Sequence, residues 1–161
     1  MRVVAGSPRT GPSASRKANR TDAAGMDARE TVEAYYDALR AGEPLGPFFA
    51  GRRDDGDDAT VKVGISERLV GIEAVRSGLA QQTRTTSGWT VDSDALRVTE
   101  RADHAWFSDE VALGWTDTER GIRFEFETRW SGTLERRPAD GDAEWPTWRF
   151  VGMHVSTTAE L

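Results

Sequence analysis

Apolar and polar residues alternate with period two along two long runs inside residues 105–131. Phe107, Asp109, Val111, Leu113 and Trp115 share one side of the first run; Ile122, Phe124, Phe126, Thr128 and Trp130 share one side of the second. Such alternation predicts a pair of antiparallel strands. A turn centred between Thr118 and Glu119 pairs Trp115 with Ile122, Leu113 with Phe124, Val111 with Phe126, Asp109 with Thr128 and Phe107 with Trp130. The hairpin then has one apolar face holding a single carboxylate, Asp109. Its polar face carries Glu110, Glu125, Glu127 and Arg129, which ion pairs on an exposed or dimeric sheet account for.

Upstream the period changes. Asp27 with Glu30 three residues on forms a capping-box start, and Val32, Tyr35, Tyr36 and Leu39 follow at helical spacing until Gly42 and Pro44 stop the run. Residues 44–50 read as a turn or a short second helix carrying Phe48 and Phe49 inward, and 52–58 as a solvated acidic loop. Two short β-prone runs, 60–66 and 67–70, precede a helical pattern over 71–84 with Ile72, Val75 and Leu79 on one side. After Ser87 and Gly88 the chain is all β: a strand over 89–100, a turn at 101–103, the hairpin, a charged loop at 136–142 and a last strand over 145–156. Helices first and an antiparallel meander after them make an α+β arrangement, three helical pieces covering the apolar face of a sheet.

Residues 1–25 break both patterns. They are Pro, Ser, Gly, Arg and Ala with almost nothing to bury, so they are expected to be a disordered tail, and 26–161 a single domain. Met26 directly precedes the helix start, so translation from Met1 and from Met26 both stay open. The tail holds five basic residues against one acidic, a charge of +4, and the rest sixteen against twenty-six, a charge of −10. So acidic a body repels nucleic-acid phosphate, and no nucleic-acid partner is expected. Only Lys17 and Lys62 among the basic residues are lysines, a bias that fits a high-salt proteome or a GC-rich genome.

The chain has no cysteine, which excludes disulfides, thiolate zinc sites and cysteine nucleophiles, and its two histidines make a metal site unexpected. No apolar run is long enough for a membrane span or a signal peptide, so a cytoplasmic protein without membrane partners is expected. No serine is tied to a histidine by a nucleophile motif, and no cofactor motif stands out.

Five stretches in order carry a resemblance: AYYDALRAGE (34–43), FFAG followed by DDATVKV (57–63), LVGIEAV (69–75), AWFSDE (105–110) and TWRFVGMHVS (147–156). Together they resemble the SnoaL-like domains of the nuclear transport factor 2-like superfamily over 26–161. The resemblance implies a cone: a strongly curved antiparallel or mixed sheet wrapped around three N-terminal helices, with a pocket at the open end and an outer face often used for homodimers. The superfamily includes ketosteroid isomerase, scytalone dehydratase, polyketide cyclases and members that only bind or assemble, so the fold does not deliver the function. Tyr35 stands where isomerase-like members carry an oxyanion-hole tyrosine, whereas DATVKV puts Val63 where they carry a general-base carboxylate.

Three residues are candidates for catalysis. Asp109, among apolar neighbours, must be paired, protonated or open to a water-filled pocket. It suits acid–base work, or else an ion pair with Arg97, which a turn at Ala102 would put diagonal to it; a one-residue slip or a bulge would point it outward. His154 falls on the strand face of Trp148 and Phe150, within reach of a ligand shared with Asp109. Tyr35 and Tyr36 are consecutive, so one points fully into the cone. Tyr36, Arg97, Phe107, Phe126, Trp130 and Phe150 are the expected ligand-binding set. The reading is a pocket protein for a small, largely apolar molecule. The alternatives are a cofactor-free isomerase, cyclase or hydrolase, and a dimerisation module with its pocket plugged by tryptophans.

Overall fold

The structure is a computed structural model and describes residues 25–138 and 147–158. All of the expected tail except Gly25, and the greater part of the charged loop after Arg137, lie outside the described residues. The first helix, α1 (Ala28–Ala41), starts as its sequence requires: the Asp27 carboxylate accepts from the Glu30 backbone and Glu30 reaches back to the Asp27 N–H. It ends at Gly42, whose φ of 69° is left-handed and returns its N–H to the carbonyls of Ala38 and Leu39. The second, α2 (Ile72–Thr85), follows Gly71, which has no side chain to cap with. Asp58, well upstream, supplies the acceptor instead, 3.0 Å from the Ile72 N–H.

There are two α-helices among the described residues, not three. Residues 44–50 form only a single 3-10 turn, Gly46–Phe48, because Gly46 and Pro47 leave too little chain with helical hydrogen bonds to make. Phe49 is buried as expected, and Phe48 only half so.

The strands are β1 (Val61–Val63), β2 (Arg68–Val70), β3 (Thr86–Ser93), β4 (Arg97–Glu100), β5 (His104–Asp117), β6 (Ile122–Arg137) and β7 (Thr147–Thr157). They form one mixed sheet in the order β2-β1-β7-β6-β5-β3, with β4 also paired to β5. β1 runs parallel to β7 and the other pairs are antiparallel. The expected single strand over 89–100 is thus two strands, both laid along β5 with a break between Ser93 and Arg97.

The hairpin face is as read, but its register is not. Leu113 pairs with Phe126, Val111 with Thr128, Asp109 with Trp130 and Phe107 with Gly132. The turn is one residue further on, held by the Asp117 carboxylate accepting from the N–H groups of Glu119 and Arg120. Every partner therefore moves by two residues, an even shift that leaves each side chain on its original face. The apolar stripe of α1 (Val32, Tyr35, Tyr36, Leu39) and that of α2 (Ile72, Val75, Leu79) pack on this face in one core.

Candidate functional site at the mouth of the sheet

The site is built around a buried lysine. β1 is three residues long, and its central side chain, Lys62, is the one that points inward, 5% exposed. An ammonium cannot stay there without a partner. The Gly64 N–H donates to the Glu67 carbonyl at 2.9 Å, closing the turn between β1 and β2, and this brings Glu67 Oε1 to 3.2 Å from Lys62 Nζ. Glu67 itself is well exposed, so the pair faces water on one side and apolar wall on the other.

Tyr35 of α1 stands on that wall. Phe48, Phe49, Trp130 and Phe150 all meet its ring edge-on, with centroids 5.4 to 6.1 Å away, which fixes its direction. Burial first, and then the negative charge of Glu67, push its hydroxyl well above the ordinary tyrosine range, so it stays a neutral donor. Trp89 and Trp115 stack at 5.0 Å and 21°, and Trp130 is anchored by its indole N–H on Thr128 Oγ1 at 2.9 Å. Tyr35, Lys62, Glu67 and these three tryptophans border a cavity of about 330 Å³.

The candidates read from sequence do not converge here. Asp109 does point inward and is buried, but its carboxylate is fully engaged. It accepts from Tyr36 Oη at 2.9 Å, Ser93 Oγ at 2.6 Å and the Ala95 N–H at 3.0 Å, joining α1 to the break between β3 and β4. Arg97 is not its partner. Val98 lies opposite Phe107 and Arg97 opposite Ser108, one residue away from the expected register, so Arg97 is exposed on the other face.

His154 is also on the outer face. Between Thr133 and Leu134 the register of β6 against β7 slips by one residue, leaving Val151 as a bulge. Trp148 and Phe150 are therefore buried before it and Met153 and Val155 after it, while His154, paired with Ser131, is exposed. Of the expected ligand set, Trp130 borders the cavity. Tyr36 is committed to Asp109. Phe107 and Phe150 are core, edge to face at 5.7 Å, and Phe126 leans on Trp115 at 5.5 Å beyond the cavity wall. Lys62, Glu67 and Trp89 belong to the site without having been singled out; the signal was a lysine at the centre of a β-prone run with a carboxylate five residues on.

Among the described residues no group of three or more His, Asp or Glu side chains comes together as a metal site, and no helix is long and apolar enough to cross a membrane. The family model for the SnoaL-like domain matches residues 28–160. The chain belongs to the SnoaL-like domain family. A search of curated proteins finds no match. Solved structures of the nuclear transport factor 2-like superfamily share the SnoaL-like fold seen here. A proposed dehydratase from Streptomyces avermitilis superposes with a TM-score of 0.66 at 18% identity, covering 82% of this chain and 94% of its own. A superfamily member from Salmonella enterica gives 0.64 at 18%, covering 81% and 88%. A ketosteroid isomerase-like protein from Erwinia carotovora gives 0.62 at 13%, covering 82% and 94%. At such identities the likeness is one of fold.

Proposed function

We propose that this SnoaL-like domain binds a small, flat, largely apolar molecule with one acidic or hydrogen-bonding end in the cavity at the mouth of its sheet. The observation that carries the reading is a buried ammonium, Lys62, set in a wall of tryptophans beside a neutral tyrosine hydroxyl. Three indole rings offer stacking surface to a planar body, and Lys62 has donors beyond the one Glu67 takes. A cavity of about 330 Å³ suits a compact ligand of one or two rings. The test is a tryptophan-fluorescence and calorimetric screen of planar aromatic acids against their neutral amides. Acids should bind more tightly than amides in the native protein, and Lys62→Met should erase that preference, costing the acids about tenfold in Kd, while the thermal midpoint holds. Equal affinity for acids and amides in the native protein would remove Lys62 from recognition.

A second, catalytic reading rests on Tyr35, Lys62 and Glu67 sharing one wall, with a hydroxyl to polarise a carbonyl and a half-solvated carboxylate to accept a proton. It is a cofactor-free isomerase, dehydratase or hydrolase. Exchange of a bound ligand's α-protons in heavy water, followed by NMR and abolished by Glu67→Gln, supports it; no exchange above the buffer rate counts against it.

The outer sheet face, where Arg97, Glu110, Arg129 and His154 are exposed, supports pairing of two copies through polar contacts. Sedimentation should show a salt-sensitive dimer, and a monomer at every salt and protein concentration would refute it.

A further inference from the structure

A second cavity, of about 1000 Å³, lies on the other side of α2 from the mouth. Arg76, Ala80 and Thr83 of α2 border it, whereas Gly78, Gln82 and Thr85 border the first, and the two share no residue. Six of the sixteen basic residues of 26–161 converge on it: Arg52 and Arg53 before β1, Arg76 on α2, Arg136 and Arg137 at the end of β6, and Arg149 on β7. They come from four separate segments, so no strand or helix periodicity explains their meeting.

Among the described residues, Arg52, Arg53, Arg76, Arg136 and Arg137 share two ion-pairing carboxylates. Glu135 serves two guanidiniums, Arg53 at 3.4 Å and Arg137 at 2.9 Å. Arg52 has Asp58 at 3.7 Å, a carboxylate that already caps α2. Among the described residues Arg136 has neutral partners, the Ala102 carbonyl at 3.3 Å and the Trp148 ring at 5.7 Å. Among the described residues Arg76 has no ion pair or hydrogen bond, and the buried Nε of Arg137 sits near Glu135 but off the line a hydrogen bond needs.

We infer that this arginine-lined groove is a binding site for a small organic phosphate ester, a diphosphate such as that of a nucleotide. Guanidinium forks entering from several directions match a tetrahedral anion with oxygens on all sides, where a planar carboxylate takes only one fork well. Leu45, Pro47 and Phe49 supply an apolar floor for the organic part. A long polyanion is a poor fit, since the acidic body around the groove repels it.

Calorimetry of the full chain with ADP, pyrophosphate and orthophosphate tests the site. ADP should bind one to one and weaken as salt rises, and orthophosphate should bind at least about tenfold more weakly, having one phosphate to offer. Arg76→Gln should weaken ADP by about tenfold without moving the thermal midpoint, because it breaks no ion pair. Arg120→Gln in the β5–β6 turn, which removes the same charge elsewhere, should leave ADP binding intact. No saturable binding of ADP or pyrophosphate would overturn the inference. So would an Arg76→Gln effect no larger than that of Arg120→Gln, a loss on Lys62→Met that puts the nucleotide in the mouth, or duplex DNA outcompeting ADP.

Discussion

Asp109 shows how far one residue can be read. Its alternation with Phe107 and Val111 places it correctly on the buried face, and a buried carboxylate demands partners. Which partners was not legible, because they come from a helix 73 residues upstream and from a break in a strand that reads as continuous. With three hydrogen bonds and no cation, Asp109 is neither a free acid nor half of an ion pair. Asp109→Asn keeps one oxygen for the Ala95 N–H and asks the hydroxyls of Tyr36 and Ser93 to turn and accept instead of donate. The expected cost is about 1 to 3 kcal/mol in a urea melt, and Arg97→Met should not restore it, since Arg97 lies on the other face. Rescue by Arg97→Met would bring the ion pair back.

At the scale of elements, what was legible is what depends on local chain: the capping box and stop of α1, the stripe of α2, and the inward face of β5 and β6. Turn geometry displaced the hairpin register, yet by an even number, so its face survived. The bulge at Val151 left no such margin; one extra residue reversed everything after it and carried His154 out of the site. Lys62 escaped notice for a related reason. In a strand of three residues, period two offers no vote between two valines and the lysine between them. The same close pairing makes Gly132 sensitive: a methyl group there would overlap the Gly152 carbonyl and come within 2.7 Å of the Phe107 ring. Backbone cannot step aside as a side chain can, so Gly132→Ala should destabilise the domain by about 1 to 3 kcal/mol. A melting curve identical to the native one would show that β6 and β7 can part at no cost.

For the whole molecule, the two tyrosines are the only ones in the chain and both are buried. Burial foremost, and then the neighbouring Asp109 with its hydrogen bond, also raises Tyr36 well above the usual tyrosine range. A group whose folded pKa is raised contributes stability that is whole below its unfolded value, about 10, and is lost as pH climbs beyond it. Above about pH 10 unfolding should become easier by up to about 1.4 kcal/mol per pH unit for each tyrosine. Tyrosinate absorbance should then appear together with the unfolding transition, and Tyr35→Phe and Tyr36→Phe should each lessen the slope. A smooth tyrosinate titration near pH 10 in protein that is still folded would contradict the burial of both hydroxyls.

The position of β7 in the sheet has a consequence for the order in which the molecule comes into being. It lies between β6 and β1, bonded antiparallel to one and parallel to the other, with Val61 across from Gly152, and its Phe150 also bridges to Phe49. A ribosome releases β1, β2 and the 3-10 turn long before the strand that must receive them. Until residues 147–157 emerge, the β1–β2 hairpin and its Lys62–Glu67 pair have no sheet to join, and only the β3–β6 meander can assemble behind them. Nascent chains stalled with β7 still in the exit tunnel should stay protease-sensitive around residues 44–70, and gain protection in one step once it is free.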